Sequence, residues 1–420
     1  MSDLSHPGSA LAAVLESNLG RPPRKIRLKL KRMAANPFAF FRGACPLFAT
    51  TWKELEPPDT GPEILVCGDL HLENFGAYRD HDGQFLFDIN DFDEALYAPS
   101  AIDPVRCATS ILLAAELWKL SPLQANGMVL DYLDQYRSAV TTSPEIPTVA
   151  AKAPRLSQDP IAQILGKAAI AEQSSLLDRK TELSKNGLRH IIRSKLKHPD
   201  VGEARAEAVS EAFQAYGRSH QDAAGYQVLD VTGRVAGIGS LGVERYLVLV
   251  QAGGSATTNR LLDVKEEDAS AWIGILGRSA TPPGATEAAR VVFAQRTLQA
   301  RTASGLDVIT IGDKTYRIRE MIPEENRSSL DRLQQKPAKL REAILTAGHL
   351  TGRSHLRGAT AGGCDQRQAL SQWATSAALD SLLAAAARYA EWSRQTYLRF
   401  KSDLKTPSAL SKRAKKTCAP

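Results

Sequence analysis

Cysteine is scarce in this chain and scattered. The five cysteines, Cys45, Cys67, Cys107, Cys364 and Cys418, are odd in number, lie far apart and include no CxxC pair. That excludes a disulfide framework and a cysteine-based zinc centre, and leaves reduced thiols. Long apolar runs are missing too: the best candidate for a membrane span, residues 376–390, is too short and is interrupted by Asp380 and Arg388. The opening MSDLSHPGSA has neither the basic nor the apolar region of a secretory signal. A cytoplasmic protein with no membrane partner is therefore expected. No segment repeats another, which excludes a solenoid or propeller.

Acidic residues are outnumbered, 46 against 53 basic, for a net charge of +7. Part of the surplus lies in RKIRLKLKR (24–32), LRHIIRSKLKH (188–198) and SKRAKKT (411–417). Such runs suit a polyanion, but no aromatic-interleaved or zinc-type motif accompanies them, so nucleic acid is not the expected partner. Solvated faces explain the runs as well as an anionic acceptor does, and both readings stay open. Hydrophobic residues at 43% and charged residues at 24% are the proportions of a globular protein with one large core or two to three ordinary ones.

The chain divides by composition. Residues 1–60 read as an N-terminal extension whose apolar block MAANPFAFFRGACPLFA docks on the core. Residues 61–220 begin with a strand, turn, strand pattern in which DHDG (80–83) is the turn. Helices follow: Val105, Ala108, Leu112 and Ala115 recur at helical spacing, with Asp103 before Pro104 as a cap and first-turn signal, and basic helices are expected at about 175–200. Residues 221–330 are rich in strands, with apolar runs at 226–231, 246–250 and 261–265, a helix across 285–302 and a hairpin turning at GDK. Residues 331–405 are helical, Ile344, Gly348, Thr351 and His355 sharing one face. Residues 406–420 are a basic tail.

Residues 63–95, EILVCGDLHLENFGAYRDHDGQFLFDINDFDEA, pack Asp69, His71, Glu73, Asn74, Asp88, Asn90, Asp91, Asp93 and Glu94 between two short apolar runs. A folded chain concentrates like charges where a cation, a reacting proton or solvent accommodates them. A second motif, GIGSLG, places Gly237, Gly239, Ser240 and Gly242 between two expected strands. A dinucleotide-binding turn opens a helix; a strand following the glycines suits a loop that covers phosphates instead. Lys265 then ends the third strand, where a cation can reach those phosphates, and Glu287 is the one acidic residue of the next helix available to orient it.

GDLHLEN followed by NDFDEA resembles the catalytic segment of the aminoglycoside and choline phosphotransferase branch of the protein-kinase-like superfamily. The resemblance implies an α+β, two-lobed fold with a small antiparallel β lobe and a larger helical lobe, and an ATP-dependent, Mg²⁺-requiring phosphotransferase acting on a hydroxyl acceptor. Asp69 would orient or deprotonate that hydroxyl. Asn74, Asp91 and Asp93 would hold metal, with Asp88 as the rival to Asp91, and Gly237, Gly239, Ser240, Gly242 and Lys265 would hold the nucleotide. The order departs from the family: the acidic loop precedes the glycine loop, and ILTAGHLTGRSHL (344–356), which resembles the helix before the catalytic loop, lies near the far end. A circular permutation is expected. The blocks NPFAFFRG, CGDLHLENFG, GIGSLG and DVKEE also resemble a bacterial family known as a domain of unknown function. Three alternatives stand beside this reading: a metallophosphoesterase using GDLH, a non-catalytic nucleotide-binding scaffold, and nucleotidyl transfer.

Overall fold

The computed structural model describes residues 9–142, 173–252, 258–277, 280–321, 336–376 and 378–405. The chain is half helical, with 17% in strands. The basic tail, and 150–172 of the polar, helix-rich region expected from about 150 to 220, lie outside the described residues.

Residues 63–99 form four short strands, β1 (Glu63–Val66), β2 (Phe75–Arg79), β3 (Phe85–Ile89) and β4 (Leu96–Pro99). β1 pairs antiparallel with β4 and β2 with β3, so Val66 faces Leu96 and Phe75 faces Ile89. The connections 67–74 and 90–95 therefore run side by side from one strand pair to the other. That is how a loop and a hairpin well separated in sequence come to share one place.

The stretch expected as basic helices near 175–200 is only partly helical. After a helix at Gln173–Lys180, the chain forms a small hairpin of β5 (Thr181–Leu183) and β6 (Arg189–Ile191). Its cause was in the sequence: Asn186-Gly187 is a hairpin turn signal, and Gly187 takes φ +81°.

Alternating apolar residues build a five-stranded antiparallel sheet from β7 (Val228–Gly233), β8 (Arg245–Val250), β9 (Arg260–Glu266), β10 (Asp307–Ile311) and β11 (Lys314–Glu320), in the order β10-β11-β9-β8-β7. One face packs Tyr246, Val248, Leu262, Val264, Tyr316 and Ile318 beneath Val209 and Phe213 of the Glu203–Ser219 helix. On the other face, Leu247, Leu249 and Leu261 pack on Leu176 and Leu177. Further along that face the pattern turns polar, because Arg245, Lys265 and Arg317 stand opposite one another, and Asp263 opposite Arg319.

The helical body holds the largest core. The Ile102–Leu117 helix is buried continuously to Ala115, and the Pro337–Gly358 helix lies against Pro122–Thr141 at a distance only glycine permits. A Cβ at Gly348 would come within 2.2 Å of the Tyr132 carbonyl oxygen, and one at Gly352 within 2.8 Å of that of Tyr136. Ile344, Gly348, Thr351 and His355 are all buried on this seam. Asp103 stands in the first turn of its helix as expected but does not cap it, the N-cap being Ala101; its carboxylate is used elsewhere. The N-terminal helices Pro23–Met33, Pro37–Gly43 and Cys45–Thr50 supply Leu30, Phe40, Phe41 and Phe48 to the same core.

Candidate functional site

The acidic loop is anchored from beneath by Asp103. Its carboxylate accepts the backbone N–H groups of Cys67 (2.7 Å) and Gly68 (2.9 Å). His355 Nε2 lies 3.2 Å from the same carboxylate, and its Nδ1 lies 2.9 Å from the Tyr136 hydroxyl. Trp272 Nε1 donates to the Gly68 carbonyl at 2.9 Å. Gly68 itself has φ +76°, and a Cβ there would meet the Glu94 carbonyl oxygen at 2.4 Å. Gly68→Ala is thus expected to cost about 2–4 kcal/mol, combining left-handed strain with a backbone clash; urea unfolding of the variant checks it.

Asp69 follows that glycine. Arg106 donates to its Oδ1 through Nε at 2.5 Å and is itself fully buried, its guanidinium 4.3 Å above the Phe41 ring and 4.7 Å above Phe48. Burial pushes the Asp69 carboxyl up to about 7; Arg106 pulls it down, and Glu94 and Asp91 add to the rise. Asn74 is buried, and its Oδ1 accepts the His71 N–H at 3.1 Å, while His71 Nδ1 accepts the Glu73 N–H at 3.2 Å. This reciprocal cap gives His71 a structural role, and burial first, then Arg42 and Arg106, holds its pKa well below the ordinary value. The Asn90 N–H donates to the Asn74 carbonyl at 2.8 Å, tying the loop to the acidic hairpin.

Asp91 is exposed to the cavity described below, and Asp93 is inside it, paired with Lys265. Asp93 Oδ1 is buried without a hydrogen-bond partner. Asp88, the rival to Asp91, faces away: its Oδ2 accepts the Ala300 N–H at 2.9 Å, and it does not line the cavity. Lys265 also donates to Glu267 Oε2 at 2.8 Å, and Arg317 Nε donates to Glu267 Oε1 at 2.8 Å. Here the expectation for Glu287 fails. Glu287 accepts from Arg290 Nε at 2.5 Å and lies outside the cavity. Glu267, two residues beyond Lys265, stands beside it instead.

A cavity of about 200 Å³ lies between the acidic connections and the sheet. Asp69, Asn74, Asp91, Asp93, Gly237, Gly239, Ser240 and Lys265 all line it. Gly242 does not; its φ of +110° and the Arg21 side chain, 2.8 Å from where its Cβ would stand, make it a turn residue. The glycine loop is held by the N-terminal extension, whose Arg21 and Lys29 also line the cavity. Arg21 donates to the Gly239 and Leu241 carbonyls at 3.0 and 3.1 Å, Lys29 to Gly239 at 2.8 Å and Arg32 to Gly237 at 2.5 Å. Part of the basic run 24–32 is therefore neither solvated nor free for a polyanion. Lys29 is buried, and burial lowers its pKa to about 7.

Sequence reasoning missed the cations of the sheet wall, Arg234, Arg245, Arg317 and Arg319, all of which line the cavity. The signal was period two: Asp263 and Lys265 alternate with Leu262 and Val264, and Arg317 and Arg319 with Tyr316 and Ile318, in strands expected to be buried. It also missed Arg290, buried on the Glu287–Leu298 helix, which donates to the carbonyls of Ala95 (2.8 Å), Asp93 (2.7 Å) and Asp268 (3.0 Å) and so fixes the acidic hairpin.

Among the described residues no three His, Cys, Asp or Glu side chains converge into a metal cage. An amide and two carboxylates, one of them with an orphaned oxygen, beside a cationic wall fit Mg²⁺ better than a caged metal, since Mg²⁺ keeps waters and takes the rest of its shell from substrate phosphates. His355 is committed to Asp103 and His71 to its own loop, so neither histidine joins these carboxylates.

Fold and site together define a mixed helix and sheet protein in which a buried acidic loop and a glycine loop close on one charged cavity. The chain belongs to the family of uncharacterised proteins conserved in bacteria, DUF2252, whose model matches residues 21–403. No curated protein and no solved structure matches it significantly.

Proposed function

We propose that this protein is an ATP-dependent, Mg²⁺-requiring phosphotransferase of kinase-like fold whose parts are circularly permuted. One observation carries the reading: Lys265 meets Asp93, 172 positions away in sequence, in the cavity that also gathers Asp69, Asn74, Asp91 and the glycine loop. Elements far apart in the chain thus supply one charged site of the kind phosphoryl transfer needs. The permutation is supported by the end of the Pro337–Gly358 helix, where a Cβ at Gly358 would lie 2.1 Å from the Leu65 carbonyl oxygen. That helix ends against the strand leading into the acidic loop, so two segments consecutive in an unpermuted chain are neighbours here.

Bound Mg²⁺ would neutralise phosphate charge, and Asn74, Asp91 and Asp93 are the residues to hold it. Lys265, oriented by Glu267 in place of Glu287, binds the phosphates. The bond between the terminal phosphorus and its bridging oxygen breaks, the acceptor oxygen bonds to that phosphorus, and Asp69 takes the hydroxyl proton. Arg106 holds the Asp69 carboxylate in place throughout. Because the work is positioning and charge neutralisation, binding is the first test. Saturating ATP with Mg²⁺ should raise the melting temperature, as any ligand of the native state must, and Asp91→Ala should remove the Mg²⁺-dependent part of that shift. An equal shift in the variant would sink the assignment of Asp91.

A further inference from the structure

Three guanidiniums share one carboxylate on the sheet wall. Arg234 Nη1 and Arg245 Nη2 lie 2.6 and 2.5 Å from Asp263, and Arg319 Nε lies 3.7 Å away. The side chains are only 8%, 7% and 20% exposed, and Asp263 1%. Of the other nearby carboxylates, Asp93 is engaged with Lys265, Glu267 with Lys265 and Arg317, and Glu266 with Lys314 at 2.9 Å, while Asp91 attracts Arg317 and Arg319 across the cavity and offsets part of the excess. Arg319 has, besides Asp263, the Asn90 carbonyl at 3.2 Å. Arg317 Nη1 is buried with no hydrogen-bond partner. All four arginines line the cavity, and Asp91 faces them from the acidic hairpin. Burial first, then repulsion from Arg317, Arg245 and Arg234, lowers the Arg319 pKa against the pull of Asp263. Surplus buried charge is costly unless a counter-charge is supplied, and Arg presents forked donors matched to phosphate oxygens.

We infer that Arg234, Arg245 and Arg319, with the free Nη1 of Arg317, form a phosphate-binding subsite on the sheet wall, separate from Lys265. The subsite deepens the phosphotransferase reading but rests on it only for which phosphate is taken. The phosphate belongs either to the nucleotide's polyphosphate chain or to a phosphorylated acceptor, and the two are distinguishable by experiment.

Calorimetric titration of the full-length protein with sodium tripolyphosphate and with inorganic phosphate, both without Mg²⁺, and with Mg·ATP, tests this. Wild type should bind tripolyphosphate or phosphate without metal. Arg319→Gln should weaken that binding at least tenfold, Arg319→Lys less, and Arg234→Gln should act in the same direction. A residue needed only for the fold would lower the melting temperature of the free protein. Removing this surplus charge should leave it unchanged or raise it. Loss of Mg·ATP affinity in Arg319→Gln assigns the subsite to the nucleotide; phosphate binding that persists beside saturating Mg·ATP, and is lost in the variant, assigns it to the acceptor. Wild-type affinity for all three probes in both glutamine variants, or no phosphate or tripolyphosphate binding by wild type, overturns the inference. Arg319-dependent tripolyphosphate binding without any Mg·ATP binding keeps the subsite and removes the phosphotransferase reading. Mg·ATP binding lost in Asp91→Ala but untouched by the arginine variants does the reverse.

Discussion

Asp69→Asn is expected to lower turnover by roughly two to four orders of magnitude, the usual contribution of a positioned base, while the fold survives. Asparagine keeps an oxygen for the Arg106 donors, so the buried guanidinium over Phe41 and Phe48 retains its partner. The same residue sets the pH profile. A base must be ionised, and the Asp69 carboxyl is pushed up to about 7, so kcat/KM should rise through about pH 7 and level off above it. Stability moves the other way. Between the ordinary aspartate range and about pH 7 the folded chain keeps a proton that the unfolded chain has released, so this group favours the fold at low pH and loses that contribution as pH rises. Melting curves of Asp69→Asn should lack that part of the slope. A flat activity profile across pH 6–8 in wild type, measured with any acceptor that turns over, would remove Asp69 from the role of base.

Lys265→Met is expected to be the most damaging single change to the site. Lys265 is buried and holds the buried Glu267 and the partly buried Asp93. Breaking such a pair by removing one partner leaves uncompensated charge, at a cost of about 3–5 kcal/mol. Arg317, still bonded to Glu267, should hold part of the loss. Lys265→Arg keeps the charge and should retain most of the stability while weakening nucleotide binding, because the planar fork does not replace a point charge in a confined position. Denaturant unfolding of both variants beside their Mg·ATP affinities separates the two effects. If Lys265→Met unfolded like wild type, the buried quartet would carry no stabilising role.

The acidic loop was legible in the sequence because its chemistry is local: GDLHLEN and NDFDEA concentrate polar residues that a core would otherwise reject, and Asp69, Asn74, Asp91 and Asp93 fall in one place. The two hairpins that flank the strand of Lys265 were legible through turn signals at GIGSLG and GDK, but the placing of that strand between them was not. The anchors were not. Asp103 read as a helix cap because aspartate before proline usually is one; nothing in its own helix says that its carboxylate serves Cys67 and Gly68. Glu287 read as the partner of Lys265 through its helix position, yet Arg290 one turn on captures it. The hairpin at 181–191 was hidden by its lysines and arginines, which suit a helix face as well as an exposed edge. For Asp103 the deciding partner comes from a distant part of the chain; for Glu287 and the hairpin it is local, a guanidinium three residues on and the Asn186-Gly187 turn.

That distance has a consequence for biosynthesis. The anchor of the acidic loop joins Asp103 to His355 across 252 positions. The loop leaves the ribosome early, but the helix that carries its histidine follows only when most of the chain has been made. Contacts so far apart in sequence are slow to form, and domains assembling during translation expose incomplete surfaces until they do. During synthesis this protein therefore has its carboxylates long before their partners, so the cavity can mature only as a late event in the life of the nascent chain.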